Sequence, residues 1–189
     1  VALSMSGGTV SHLSNGKFIM GIGAGSIYRS EVRKKMNLPN LSMLSLMKDY
    51  IIIMRGLLAG DRVTYKSKTS SLEGIKLGIT PPPKTPIFLG ALGPKMLSLA
   101  GELADGVALN WCTPEQIQWS REKINEGADI SNRNPSDITV SQYIRVCIDK
   151  DEEKARIKLA KATMHYALGP DIPNSSQRKY GYRAHLKEW

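Results

Sequence analysis

Two glycine-rich stretches are the parts of this chain best suited to hold a ligand. One is Gly23-Ala24-Gly25-Ser26 and the other is Gly90-Ala91-Leu92-Gly93-Pro94-Lys95. Each follows a short apolar run that reads as a buried strand, and the second opens a helix. Bare backbone at a helix N-terminus offers N–H donors to a phosphate or to the polar edge of a flat ring, and Lys95 adds a charge. The same glycines also permit tight strand-to-helix turns, so one such loop alone decides little. Asn110 and Trp111 end a third apolar run. The Asn110 amide can hold a substrate or a ring carbonyl, or cap the following helix. Trp111 can stack on a flat ring or wall the rim. Tyr143 and Arg145 alternate with apolar neighbours in a fourth run. A buried arginine there requires an anionic partner, either a ligand or an ion-pair acid.

Other chemistries find little support. Gly21-Ile22-Gly23-Ala24-Gly25-Ser26 lacks the third glycine of a dinucleotide fingerprint at its spacing, and no acid follows at the end of a next strand. No Gly-Lys-Ser or Gly-Lys-Thr occurs, so a Walker loop is absent. His12, His165 and His185 are scattered without ligand spacing, and no metal site follows from them. Cys112 and Cys147 show no CxxC pattern and read as reduced thiols of a cytoplasmic protein. Glu31 and Arg29, after the first run, can reach a pocket or lie in solvent.

The elements that must position these residues follow from periodicity and punctuation. A helix from Ala2 to Leu13, weakened by Gly7-Gly8, stops at Asn15-Gly16. Lys17 to Gly23 is a short buried strand, and Ser26 to Asn40 is irregular. Leu44, Met47, Ile51, Met54 and Leu58 form one stripe of a helix from Leu41 to Leu58. Thr64 to Leu77 reads as an excursion or hairpin, and Pro81-Pro82-Pro83 as a stiff connector. Strands follow at Pro86–Ala91, Val107–Trp111 and Ile138–Ile148. Helices lie at Lys95–Ala104, from a Thr113 N-cap to Ala128, and at about Asp151 to Leu168, with a polar loop over Gly169–Gln177. Alternating strands and helices with apolar strands predict a parallel α/β sheet. A closed (β/α) barrel takes about 250 residues, more than the 189 present. The chain is therefore an open sheet or the middle of a longer barrel. It lacks an initiator Met, opens within a helix and closes on the helix-like Tyr182 to Trp189, which favours the barrel.

Composition narrows the partners. Lys and Arg number 26 against 17 Asp and Glu, a net charge of +9. The basic residues are dispersed, in one cluster of Arg29, Arg33, Lys34 and Lys35 and another of Lys154, Arg156, Lys158 and Lys161 that has acids beside it. With aromatics at only 6%, this is a poor nucleic-acid surface. It suits an anionic, phosphate-bearing small molecule. A non-catalytic basic interaction protein stands as the alternative. The strongly apolar run around Tyr50 to Met54 is too short to cross a bilayer, and the first residues carry no basic leader. Cytoplasmic localisation is expected, with no membrane partner, and a homo-oligomer remains open.

Two segments carry a family resemblance. Leu13-Ser14-Asn15-Gly16-Lys17 through Met20-Gly21-Ile22-Gly23-Ala24-Gly25 resembles the "LSxGRxxLGxGxG" segment of luciferase-like monooxygenases. Pro86-Ile87-Phe88-Leu89-Gly90-Ala91-Leu92-Gly93-Pro94-Lys95-Met96 through Leu99-Ala100-Gly101-Glu102-Leu103-Ala104-Asp105-Gly106-Val107 is similar to the family's "PIYxxAxGPKMxxLAGExADGV" segment. Leu109-Asn110-Trp111 and Thr113-Pro114-Glu115 look most like the branch that uses the deazaflavin coenzyme F420, that of methylenetetrahydromethanopterin reductases. The resemblance implies a TIM (β/α)8 barrel over residues 1–189, incomplete at both ends and carrying about its fourth to seventh strands. It implies hydride transfer between F420 and a small organic substrate, or, as the alternative, an FMN-dependent monooxygenase reaction with oxygen. Gly90, Ala91, Leu92, Gly93 and Pro94 would then meet the cofactor's backbone-facing side and phosphate tail. Ala24 and Ser26 would lie near the ring, and Asn110 and Trp111 near cofactor or substrate. Ser26 stands where several members carry an acid, and Lys17 where they carry Arg. No catalytic residue follows. Half a barrel has two open edges, so the isolated chain is expected to fold poorly and to be inactive.

Overall fold

The structure, a computed structural model, describes residues 1–28 and 30–167. Arg29, His185, the 169–177 loop and the C-terminal stretch from Tyr182 lie outside the described residues, as do the side chains of Ser26 and His165. In chain order come α1 (Ala2–Leu13), β1 (Met20–Ile22), a 3-10 turn (Gly25–Tyr28), α2 (Ser30–Lys35) and α3 (Met43–Ala59). There follow β2 (Val63–Lys66), β3 (Ser71–Ile75), β4 (Ile87–Gly90), α4 (Pro94–Leu103) and β5 (Gly106–Asn110). The rest comprises α5 (Pro114–Ile130), a 3-10 turn (Pro135–Asp137), β6 (Thr139–Tyr143) and α6 (Glu152–Ala167).

β1, β4, β5 and β6 form one sheet in that spatial order, all parallel, while β2 and β3 pair antiparallel as a separate hairpin. The helices pack consecutively, α1 on α3, α3 on α4 and α4 on α5, following the order of the strands. This is a single helical layer against one face of the sheet. It is the arrangement of a barrel wall, whereas a doubly wound sheet has helices on both faces. Between the layers Ile51, Ile87, Leu89, Leu97, Val107 and Ile124 are almost wholly excluded from water. Each such side chain contributes about 1.5–3 kcal/mol of transfer free energy.

Helix ends match local chemistry. Ser42 caps α3 by accepting from the Ser45 N–H, and Gly60 ends it in the left-handed region. Thr113 and Gln116 form a reciprocal capping box on α5, with Pro114 in the first turn. The polyproline connector braces two helix ends. Pro81 packs on Gly60 after α3, and Pro83 on Gly16 after α1. A Cβ at Gly60 would fall 2.4 Å from Pro81.

Several sequence-based boundaries need correction. The stretch Ser26 to Asn40, expected to be irregular, contains a 3-10 turn and α2. Glu31 in the first turn of α2 and Arg33, Lys34 and Lys35 in the last complement the helix dipole. The first strand begins at Met20 instead of Lys17, because its only neighbour among the described residues, β4, begins at Ile87 opposite Met20. The last strand ends at Tyr143 instead of Ile148. Its partner β5 ends at Asn110, opposite Tyr143, where Trp111 turns into the left-handed region. Beyond it Ile144, Val146 and Ile148 are 69%, 74% and 91% exposed.

Candidate functional site

Because the four strands are parallel, their carboxyl ends share one edge. The two glycine-rich loops meet there, since the Gly23 Cα lies 3.9 Å from where a Cβ on Gly90 would sit. The ladder aligns residues on the face opposite the helices. Gly21, Phe88, Gly106 and Thr139 form one row, and Gly90, Ala108 and Ser141 form the next, nearer the carboxyl ends. Gly21, Gly23, Gly90 and Ala108 are exposed. A Cβ at Gly21 or Gly25 would meet nothing within 4 Å. Phe88, whose ring lies over Gly106, and Tyr143 at the end of β6 are the large residues of this face. The result, over β1, β4 and the middle of β5, is an open surface of small residues on which a planar molecule can approach the backbone.

α4 starts at the rim of this face. Its N-cap, Gly93, supplies no side chain to satisfy the first-turn N–H groups. Ala91 is buried in the core, so it offers the rim backbone alone, and its N–H donates to Ala108 O. Leu92 and Pro94 are half-buried, and Lys95 is exposed at the start of the helix. Ala24 is half-buried beside the end of β1, and Ser26 belongs to the 3-10 turn.

Asn110 is the last residue of β5, half-buried and opposite Tyr143. Trp111 has φ of +55°, a conformation that costs an aromatic L-residue about 1–2 kcal/mol. This turn sets its indole under Arg145, whose guanidinium carbon is 4.7 Å from the ring centroid and 5.6 Å from that of Tyr143. The expected partner of Arg145 is therefore in part aromatic, a cation–π contact joining the ends of β5 and β6. Burial pushes the Cys112 thiol up, against a smaller pull from its contact with Asn110 O. Cys112 is thus a poor nucleophile at neutral pH.

The sequence model of the family described as luciferase-like monooxygenase matches residues 1–188. The chain belongs to this family. Among relatives, it is 34% identical over 171 residues to 5,10-methylenetetrahydromethanopterin reductase of Archaeoglobus fulgidus, which covers 90% of the chain and 50% of that protein. It is 27% identical over 153 residues to the F420-dependent glucose-6-phosphate dehydrogenase of Amycolatopsis mediterranei, covering 78% of the chain and 45% of that protein. The chain thus spans about half the length of these curated relatives. The solved structure of the coenzyme F420-dependent tetrahydromethanopterin reductase of Methanopyrus kandleri superposes with a TM-score of 0.71 at 24% identity, over 100% of the chain and 60% of that structure.

The family motif from Pro86 to Val107 separates into parts that face the rim and parts that hold the scaffold. Gly101 is where α4 meets α5, since a Cβ there would fall 2.0 Å from Ile124 O. Gly127 is its counterpart, 1.9 Å from Ser98 O by the same measure. Asp105 lies at the opposite end of the sheet from the glycine rims. Its carboxylate accepts from Ile87 N at 2.8 Å and pairs with Arg55 at 3.0 Å, and Arg55 also donates to Leu103 O. Gly101 of the family's AGE element and Asp105 of its ADG element are therefore structural in this chain.

A further buried carboxylate escapes sequence reasoning. Asp49 on α3 is only 3% exposed and accepts from Tyr65, Ser67 and Thr69, which anchors the β2–β3 hairpin. Burial pushes its carboxyl up, but the hydroxyl donors of Ser67, Thr69, Tyr65 and Ser70 together outweigh this and hold it below the usual value. Of the remaining candidates, His12 donates from Nε2 to Thr80 O on the helical side, and Glu31 is exposed. Among the described residues no cluster of His, Cys, Asp or Glu could hold a metal. No described helix is long and apolar enough to cross a membrane. The rim residues Gly21 and Ala108 were missed from the sequence, although the period of two that places them with Gly23 and Gly90 was available.

Proposed function

We propose that this chain is the sector of a luciferase-like barrel bearing about its fourth to seventh strands. The whole protein is then an F420-dependent oxidoreductase that transfers hydride between the deazaflavin and a small organic substrate. The observation that carries this reading is the open small-residue surface of Gly21, Gly23, Gly90 and Ala108 at one carboxyl edge. The reductases and dehydrogenases at 34% and 27% identity support F420 as the cofactor.

The residues present fit a flat ring with an anionic tail. No Cβ blocks the approach at Gly21 or Gly25. Gly90, Ala91 and Leu92 supply backbone along one side of the ring. Gly93 and Lys95, at the start of α4, supply backbone N–H groups, Pro94 fixes the first turn without a donor of its own, and the helix dipole has the sign that favours the tail. Ala24 and Ser26 border the ring from β1, while Asn110 and Trp111 form the wall on the β5 side. When bound, the deazaflavin supplies the hydride chemistry, and the protein supplies position and electrostatics. Trp111 and Tyr143 exclude water from that wall. Ser26 cannot replace a carboxylic acid as a proton donor, so the proton comes from another part of the whole protein.

Titration of the whole protein with F420 and with FMN, followed by absorbance and Trp fluorescence, tests the reading. Saturable binding of F420 is expected. Binding of FMN alone would move the protein to the oxygen-using branch. Binding of neither, with salt-dependent capture of duplex nucleic acid, would favour a basic interaction protein instead.

A further inference from the structure

We infer that Phe88 is a ring-positioning residue: its side chain is the floor of the proposed site and sets the flat ring over β1 and β4. The ladder gives Phe88 a glycine on each side, Gly21 on β1 and Gly106 on β5. The phenyl ring takes only one of the two places. A Cβ on Gly106 would fall 2.5, 2.6 and 2.7 Å from Cζ, Cε1 and Cε2 of Phe88, whereas one on Gly21 would meet nothing within 4 Å. Gly106 is accordingly buried and Gly21 exposed.

Neither glycine has a left-handed backbone that would call for its residue type. At Gly106 it is the phenyl ring that leaves no room for a side chain. At Gly21 no described residue does so, and the free strip runs on through Gly23 to Gly25. Ile87 and Leu89, on either side of Phe88, are buried in the core, so Phe88 shares the site face with Gly90. The row of Gly90 and Ala108 lies two residues, about 6.6 Å, nearer the mouth. Small residues above and a large ring below make a ledge. A planar group that enters along the Gly23–Gly90 backbone stops against Phe88, in the edge-to-face or offset contact that aromatic rings favour. Because the phenyl ring leans to β5, the space it leaves lies over β1. An aromatic side chain laid across a cross-strand glycine also stabilises a sheet by itself, and the experiment separates that role from ring positioning.

This inference rests on the deazaflavin reading of the rim. F420 and a deazaflavin lacking the phosphate tail are titrated by fluorescence into the whole protein as wild type, Gly106→Ala, Phe88→Ala and the double variant, with a melting curve of each. The new methyl of Gly106→Ala pushes the end of the Phe88 ring off β5 toward the open strip over Gly21. Both ligands should weaken about fivefold or more, and by the same factor, since the floor meets the ring and not the tail. Phe88→Ala should weaken both about fivefold, and adding Gly106→Ala to it should change nothing further. Failure of the wild type to bind either deazaflavin overturns the rim reading and this inference with it. Wild-type binding with unchanged affinities in stable Gly106→Ala and Phe88→Ala proteins overturns the inference alone and leaves Phe88 as a sheet-stabilising residue. A Gly106→Ala loss that persists in full without Phe88, or that is confined to F420, overturns it too. Should Phe88→Ala not fold, a Gly106→Ala protein with wild-type affinity for both ligands overturns it as well.

Discussion

Replacing Gly101 by alanine sets two effects of known sign against each other. Alanine in a helix interior is favoured over glycine by about 1 kcal/mol. The added Cβ, however, would lie 2.0 Å from Ile124 O and 2.8 Å from Ala128 N. A comfortable contact needs roughly 3.5 Å, so α4 and α5 must separate by about 1 Å or more. Both obstructing atoms are backbone and cannot rotate away. Overpacking of this kind costs about 1–3 kcal/mol, here at the upper end. The clash wins, and Gly101→Ala is expected to destabilise by about 2 kcal/mol, or about 4–8 °C in Tm for a chain of this size. Gly21→Ala is the matched control, because nothing lies within 4 Å of its new Cβ. It should stay within about 0.5 kcal/mol of wild type. Urea and thermal melts of the three proteins decide the matter. A Gly101→Ala protein as stable as wild type, or more so, would refute the claim that this glycine is kept for helix–helix approach.

Asp49 should give the stability curve an acid limb. Its carboxyl is held below the ordinary 3.8, so its contribution is fully present above that value and is lost as pH falls through the lowered folded-state value. Asp49→Asn should flatten this limb in urea midpoints measured across the acid range, with hydrogen exchange rising first in the β2–β3 hairpin. Asp105→Ala should cost about 2 kcal/mol, because it strips the buried Ile87 N–H of its acceptor. Arg55→Ala removes a partner that is 45% exposed and should cost less than about 1 kcal/mol. Denaturant titration compares the two.

The α3 stripe, the α5 cap and the alternation of strands with helices were legible because each is a local pattern with one dominant solution. Tertiary reasons were not. Gly101 and Gly60 look alike in the sequence, yet one admits a neighbouring helix and the other accepts a left-handed turn beneath Pro81. The alternation from Ile138 to Ile148 reads as one strand throughout, but a strand needs a partner, and β5 offers none past Asn110. Asp49 looks like any polar residue on an amphipathic helix until the hairpin folds over it. At the rim, the glycine loops announced themselves by composition. The contact of Trp111 with Arg145 did not, since it depends on a left-handed turn that no tryptophan advertises.

The claim at the centre of this account is that the Gly23 and Gly90 rims form one surface for a flat redox ring. A Cβ at Gly90 would make only ordinary contacts, 3.5 Å from Ile22 O and 3.9 Å from the Gly23 Cα. Gly90→Val should therefore fold while filling the surface. The decisive measurement is the F420 dissociation constant of wild type and Gly90→Val, with melting curves of both. Saturable wild-type binding that falls at least tenfold in a variant of near wild-type stability is the predicted result. Unchanged affinity in a folded Gly90→Val protein would contradict the account.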